Sequence, residues 1–126
     1  MDYKYIIFEL HGQEAFVRLN RPEVFNSIHR DMAMEIQDAL DRCKSSEVRC
    51  VTVIGSCRAF CAGQDLNEVV DPNGPALQDI VKEHYNPIIR RIRTLEKPVI
   101  CAVNGVAAGA GANIALSGDI VVAARS

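Results

Sequence analysis

The sequence predicts an α/β layer structure with a largely parallel central sheet, on three observations. Short apolar runs at residues 48–54, 99–103 and 120–124 have the length and β-branched content of buried strands. Amphipathic stretches with helical spacing alternate with those runs. Two loops of small residues, 58–66 and 104–113, each follow a strand-like run and lead towards a helix.

The elements follow in order. Residues 3–10 and 15–19 read as two strands joined by His11-Gly12-Gln13-Glu14, with glycine in the turn. Asn20-Arg21-Pro22-Glu23 then ends the second strand, because Pro22 has no N–H to give to a ladder. A helix over 28–43 puts Ile28, Met32, Ile36, Leu40 and Cys43 on one face, with Ser27 placed to cap it. Gly55 ends the strand at 48–54, and Asp71-Pro72-Asn73-Gly74-Pro75 forms a turn-rich connection. A long amphipathic helix over 77–95 aligns Ile80, His84, Ile88, Ile92 and Leu95, and Pro87 inside it predicts a kink or a break. A strand at 99–103, a short helix at 109–116 and a strand at 120–124 complete the series. No repeat or composition shift divides residues 1–126, which read as part of one domain. The last strand is of the buried type with nothing behind it to cover it, so further elements are expected there.

Composition excludes several function classes. Fourteen Lys and Arg against sixteen Asp and Glu give a net charge of −2, which offers no attraction to nucleic acid or to an anionic membrane surface. No apolar run is long enough to span a bilayer, and Met1-Asp2-Tyr3-Lys4-Tyr5 lacks the basic start and apolar stretch of a secretory signal. The expectation is a cytoplasmic protein. Cys43, Cys50, Cys57, Cys61 and Cys101 form an odd set without a Cys-x-x-Cys pair, which argues against a metal site or a disulfide framework. Cys61 sits in the first small-residue loop and reads as a packing residue rather than a nucleophile.

The two loops carry the chemistry. Gly and Ala keep the backbone accessible, so N–H groups from both loops can converge on an oxygen that gains negative charge during a reaction. In the second loop the donor belongs to the start of the helix near Gly109, where the first N–H groups lack intrahelical acceptors. In the first loop it is assigned to Gln64, after a tight turn at Ala62-Gly63. Close packing alone accounts for such turns equally well, and spacing does not decide between the two readings. Gly109-Ala110-Gly111 lacks the third glycine of a dinucleotide fingerprint, so a Rossmann site is a poor fit.

Leu19-Asn20-Arg21-Pro22-Glu23 with Asn26, Phe60-Cys61-Ala62-Gly63-Gln64-Asp65-Leu66, and the stretch from Lys97-Pro98-Val99-Ile100 to Asn113 resemble the crotonase (enoyl-CoA hydratase/isomerase) superfamily in order and spacing. Gly63-Gln64-Asp65-Leu66-Asn67, Asp71-Pro72, Tyr85-Asn86-Pro87 and the stretch from Gly105 to Ala112 resemble in particular the branch that isomerises a ring epoxide in phenylacetate degradation. The resemblance implies a crotonase-like spiral of strand-strand-helix units, truncated here before a C-terminal helical region that builds trimers or dimers of trimers. It implies an acyl-CoA substrate, with coenzyme A as part of that substrate and no separate cofactor. The thioester oxygen would be held by the backbone N–H groups of Gln64 and Ala110. Val24, Phe25, Ala62, Gly63, Gln64, Asp65 and Leu66 would contact coenzyme A.

One departure bears on reaction type. Hydratases of the family carry a Glu acid/base where this chain has Asn113, and an amide does not titrate usefully at neutral pH. Addition of water is therefore disfavoured, and an isomerase with a single carboxylate is the expectation; in the similar branch that carboxylate is an Asp shortly beyond the position of Ser126. An enoyl-CoA hydratase of fatty-acid oxidation and a non-catalytic CoA-binding chain are the alternatives. On the second, residues 1–126 alone would have no turnover, since no proton-transfer residue is expected beside the loops.

The remaining polar residues read as structural. Asp65 is expected to brace its turn rather than act as an acid. His84 falls on the apolar face of the long helix and reads as a packing residue. Arg90, Arg91, Arg93 and Lys97 suit either coenzyme A phosphates or a solvated helix end.

Overall fold

The β-branched runs pair as their pattern demands. In the computed structural model, which describes residues 3–125, β1 (Ile6–His11) and β2 (Glu14–Leu19) form an antiparallel hairpin. Met1, Asp2 and Ser126 lie outside the described residues. β3 (Cys50–Gly55) pairs parallel with β2, β5 (Val99–Val103) with β3, and β7 (Ile120–Ala123) with β5. The sheet order is β1-β2-β3-β5-β7. A second small sheet pairs β4 (Ala59–Cys61) with β6 (Val106–Ala107), also parallel.

Helices α1 (Arg30–Arg42), α2 (Leu66–Val70), α3 (Leu77–Ile80), α4 (Asn86–Thr94) and α5 (Ala110–Leu116) complete the order. The chain therefore repeats a strand-strand-helix unit: β1, β2 and α1; β3, β4 and the α2–α4 region; β5, β6 and α5. The spiral expected from the sequence is present.

Several sequence expectations need correction. The first strand begins at Ile6 rather than Tyr3, because the N–H groups of residues 4 and 5 go to Glu35 of α1, although Tyr5 O still accepts from Asn20 N–H at 2.9 Å. Lys4 N–H and Tyr5 N–H donate to the Glu35 carboxylate (3.1 and 2.9 Å), and Tyr3 Oη–H donates to Asp38 Oδ2 (2.5 Å). Ser27 is not the cap of α1. The cap is His29, whose Nδ1 accepts from Met32 N–H at 3.3 Å. Ile28 is drawn into a parallel bridge with Gln64 and leaves the helix. β4 and β6 were not expected at all.

The expected apolar faces form the core. Ile28, Met32, Ile36, Leu40 and Cys43 are all buried, and α1 packs on β1, β2 and α4. Burial of each large side chain contributes about 1.5–3 kcal/mol. The long helix shows how Pro87 is accommodated. Ile80, His84, Ile88 and Ile92 recur every four residues and are all buried, although each such step overshoots a 3.6-residue turn by about 40°. A π-helical turn over Val81–Tyr85 widens the helix and offsets part of this drift, closing with Asn86 N–H on Val81 O. Pro87 has no N–H to give to Glu83 O, and Gln37 Nε2 donates to that carbonyl at 2.8 Å. The sequence signal for a break thus becomes a widened turn within a continuous helix.

β7 has the composition of a buried strand but is exposed along its length, with Ile120 at 52% and Val122 at 56%. No helix among the described residues is long and apolar enough to cross a membrane.

Candidate active site

The site begins with Asn26, a wholly buried side chain on a left-handed residue (φ 58°). Its Oδ1 accepts from Arg21 N–H (2.8 Å) and Ser56 Oγ–H (3.3 Å), and its Nδ2 donates to Ser56 O (3.1 Å) and Ala59 O (2.9 Å). This one amide ties the turn after β2 to the start of β4. Ala62 N–H then donates to Phe25 O (3.0 Å), and Ile28 N–H donates to Gly63 O (2.8 Å) while Asp65 N–H donates to Ile28 O (3.0 Å). The first small-residue loop is pinned along one edge, which leaves the Gln64 N–H facing the other way.

On that other side lies the second loop. Ala108 N–H donates to Cys61 O at 3.1 Å, continuing the β4–β6 pairing. Gly63 adopts φ 103°, and a Cβ on it would stand 2.9 Å from Ala108 O and 3.5 Å from Ala110 N. Any side chain here would strain the backbone and push the loops apart. Gly111 is equally constrained, since a Cβ there would collide with the Cys61 carbonyl. Small residues are required for the two loops to touch.

Beside this contact lies an open cavity of about 480 Å³. Of the residues expected to bind, it brings together Val24, Ala62, Gly63, Gln64, Asp65, Leu66 and Ala110. Phe25 is not in its wall; the residue is 53% exposed, and its carbonyl serves the loop instead. Ser27, Asn67 and Gly109 also line it, which the sequence reading did not anticipate for Ser27 and Asn67. Ala110 opens α5, so its N–H has no intrahelical acceptor, and among the described residues neither it nor the Gln64 N–H has a protein acceptor. The two residues that carry these donors thus line one cavity. Asn113 is exposed on α5 and stands outside the wall.

The flanking polar groups brace the site. Asp65 caps α2 through Oδ1, which accepts from Asn67 N–H (2.8 Å), while its Oδ2 accepts from Arg21 Nη2 (3.1 Å). The pair is largely buried, and Arg21 also donates to Ser27 O. Asp65 therefore holds the loop, as its position after the turn suggested. Cys61 is wholly buried and desolvation pushes its thiol up to about 11, which suits packing and not nucleophilic attack. Arg91 clasps Asp41, Arg93 donates to Ser117 O, and Lys97 Nζ donates to Cys43 O; none of them borders the cavity.

A second polar group lies behind the first loop. Tyr85 Oη–H donates to Gln64 Oε1 (2.5 Å), and Gln64 Nε2 donates to Glu68 Oε1 (2.9 Å) and Asp65 O (3.1 Å). Glu68 Oε2 accepts from Arg30 N–H at 2.9 Å, and His84 Nδ1 stands 3.8 Å from Glu68 Oε1. His84 is wholly buried, and neither ring nitrogen has a hydrogen-bond partner among the described residues. Burial holds its pKa below the ordinary histidine value, with Glu68 acting in the opposite sense. Glu68 and His84 thus stand behind the first loop, and neither lines the cavity. The apolar-face position of His84 was visible in the sequence, but its neighbours were not.

Known proteins agree with this architecture. The chain is 54% identical to 1,2-epoxyphenylacetyl-CoA isomerase of Escherichia coli K12 over 112 residues, covering 86% of this chain and 43% of that one. It is 35% identical to a short-chain-enoyl-CoA hydratase of Clostridium acetobutylicum, covering all of this chain and 49% of that one. A crystal structure of enoyl-CoA hydratase from Bacillus anthracis superposes with a TM-score of 0.86 at 27% identity, over 98% of this chain and 48% of that chain. The chain thus spans about half the length of these relatives. The enoyl-CoA hydratase/isomerase family matches residues 12–126, and the chain belongs to that family.

Proposed function

We propose that the protein is an acyl-CoA isomerase that holds a thioester oxygen between the Gln64 and Ala110 N–H groups. The substrate we assign is a ring-epoxide phenylacetyl-CoA thioester, rearranged to the seven-membered oxepin. One observation carries the reading: two unpartnered backbone donors, on loops locked together at Gly63, belong to residues that line one cavity. Removing a proton from the carbon next to a thioester places negative charge on the carbonyl oxygen. Two fixed N–H groups stabilise that charge without rearranging, and losing one such donor costs about 3 kcal/mol. Isomerisation returns the proton elsewhere, so no atoms are gained or lost.

The choice of isomerase over hydratase is supported by the amide at Asn113, the position where the family resemblance implies a Glu acid/base in hydratases. The relative from E. coli that is named as an epoxyphenylacetyl-CoA isomerase supports the same choice. The test is to supply the full-length protein with the ring-epoxide thioester and, separately, with crotonyl-CoA. An isomer of unchanged mass from the epoxide is expected. Hydration of crotonyl-CoA with the epoxide left untouched contradicts the assignment.

A further inference from the structure

The Gln64 N–H is the free end of a chain of two peptide groups that begins at a largely buried charge. Arg21 Nη1 donates to Ser27 O at 2.8 Å. That carbonyl belongs to the Ser27–Ile28 peptide, whose N–H donates to Gly63 O at 2.8 Å. Gly63 O in turn belongs to the Gly63–Gln64 peptide, whose N–H is the donor of the first loop. In a trans peptide the C=O and N–H point in opposite directions, so holding one aims the other. We propose that Arg21 is a positioning residue: through the Ser27–Ile28 and Gly63–Gln64 peptides it aims and polarises the N–H that grips the thioester oxygen.

The surroundings of Arg21 suit this role. Its N–H donates to Asn26 Oδ1 at 2.8 Å, which fixes where the side chain starts. The side chain is 13% exposed, and its guanidinium carbon stands 5.8 Å from the Tyr5 ring centroid, which limits how the planar group can turn. A hydrogen bond from a charged donor is about twice as strong as one between neutral groups. Each link then strengthens the next by about 10–30%, and both peptide dipoles run the same way, with the positive end at the Gln64 N–H. The other arm of the fork, Nη2, holds Asp65 Oδ2 at 3.1 Å. Asp65 lines the cavity, so its carboxylate alone would oppose negative charge on a bound oxygen. Arg21 offsets that charge with one arm and feeds the peptide chain with the other.

The inference rests on the thioester reading above, and its test separates the two. Phenylacetyl-CoA labelled with ¹³C at the thioester carbonyl is bound to the full-length protein and its variants, and the carbonyl stretch is read by difference infrared. Turnover is measured with the ring-epoxide thioester. Arg21→Met removes the head of the chain but leaves the Asp65 carboxylate unpaired, so it is combined with Asp65→Asn, which keeps an oxygen for the Asn67 N–H. In this double variant the stretch should move part of the way back to the free-ligand value, with kcat lowered about fivefold and KM unchanged. Fivefold is about a quarter to a third, on a logarithmic scale, of the 10²–10³ that a whole donor is worth, as loss of polarisation at two links implies. Arg21→Gln with Asp65→Asn keeps an uncharged donor and should give a smaller change of the same sign; it serves as the reporter if the methionine variant unfolds. A wild-type stretch and kcat in the folded double variant overturns the role of Arg21, which would then only offset Asp65. No shift on binding to the unaltered protein overturns the thioester site itself, and with it this inference.

Discussion

Replacing Asn26 by alanine tests how the two loops are assembled. Asn26 is wholly buried, sits at φ 58°, and makes four side-chain hydrogen bonds. Ala59 O keeps a second donor in Asn104 Nδ2 at 3.1 Å, so its loss is absorbed. Ser56 O and Arg21 N–H lose their side-chain partner in partly buried positions, at about 1 kcal/mol each, near the low end for an unsatisfied group. A left-handed alanine adds about 1 kcal/mol. Together these destabilise the folded state by about 3 kcal/mol, more than a hundredfold in the folding equilibrium. Asn26→Gly loses the same hydrogen bonds but not the backbone penalty, so it should be about 1 kcal/mol less damaging. Urea unfolding followed by far-UV circular dichroism measures both. A change below 1 kcal/mol for alanine, or a glycine variant as damaged as the alanine one, would refute this reasoning.

Three further outcomes are expected. Gly63→Val should leave a folded protein that has lost acyl-CoA binding, because the side chain meets Ala108 O and separates the two donors; unchanged affinity by calorimetry contradicts this. His84 has a folded pKa below its unfolded value of about 6.5, so the unfolded state binds the extra proton first and stability falls as pH drops below that value. Glu68 and Glu83 oppose this shift while Arg30 and His29 reinforce it, and a His84→Phe variant should show a flatter stability profile between pH 7 and 5. Brief alkylation of the native protein at pH 7.5 should label the exposed Cys57 first and spare Cys43, Cys61 and Cys101, whose thiols burial pushes up to about 11; early modification of Cys61 by mass spectrometry would contradict its packing role.

The elements that announced themselves did so through patterns longer than one turn. The apolar face of α1 and the β-branched runs of β3 and β5 are decided by their own residues, since each buries a continuous stripe. β4 and β6 were invisible because three and two residues of mostly small side chains carry no periodicity. Their pairing depends on Ala59 meeting Val106, far along the chain. His29 and Ser27 are both capable of capping, and the choice falls to His29 only because Gln64 takes Ile28 into a bridge. Pro87 signalled an irregular helix, but which irregularity depends on Gln37 from another helix reaching the orphaned Glu83 carbonyl. The site follows the same rule. The two small-residue loops were legible as strand-to-helix turns, while their spacing did not decide between packing and binding. The Tyr85–Gln64–Glu68 group was not legible, since it joins side chains from α2, the π-turn and a loop that share no local pattern.

The most direct test of the central claim is a crystal structure of the full-length protein with a bound acyl-CoA. The thioester oxygen should lie about 3 Å from both the Gln64 and the Ala110 nitrogens. A thioester placed outside the cavity between the two loops, or an oxygen reached by neither nitrogen, would contradict the account.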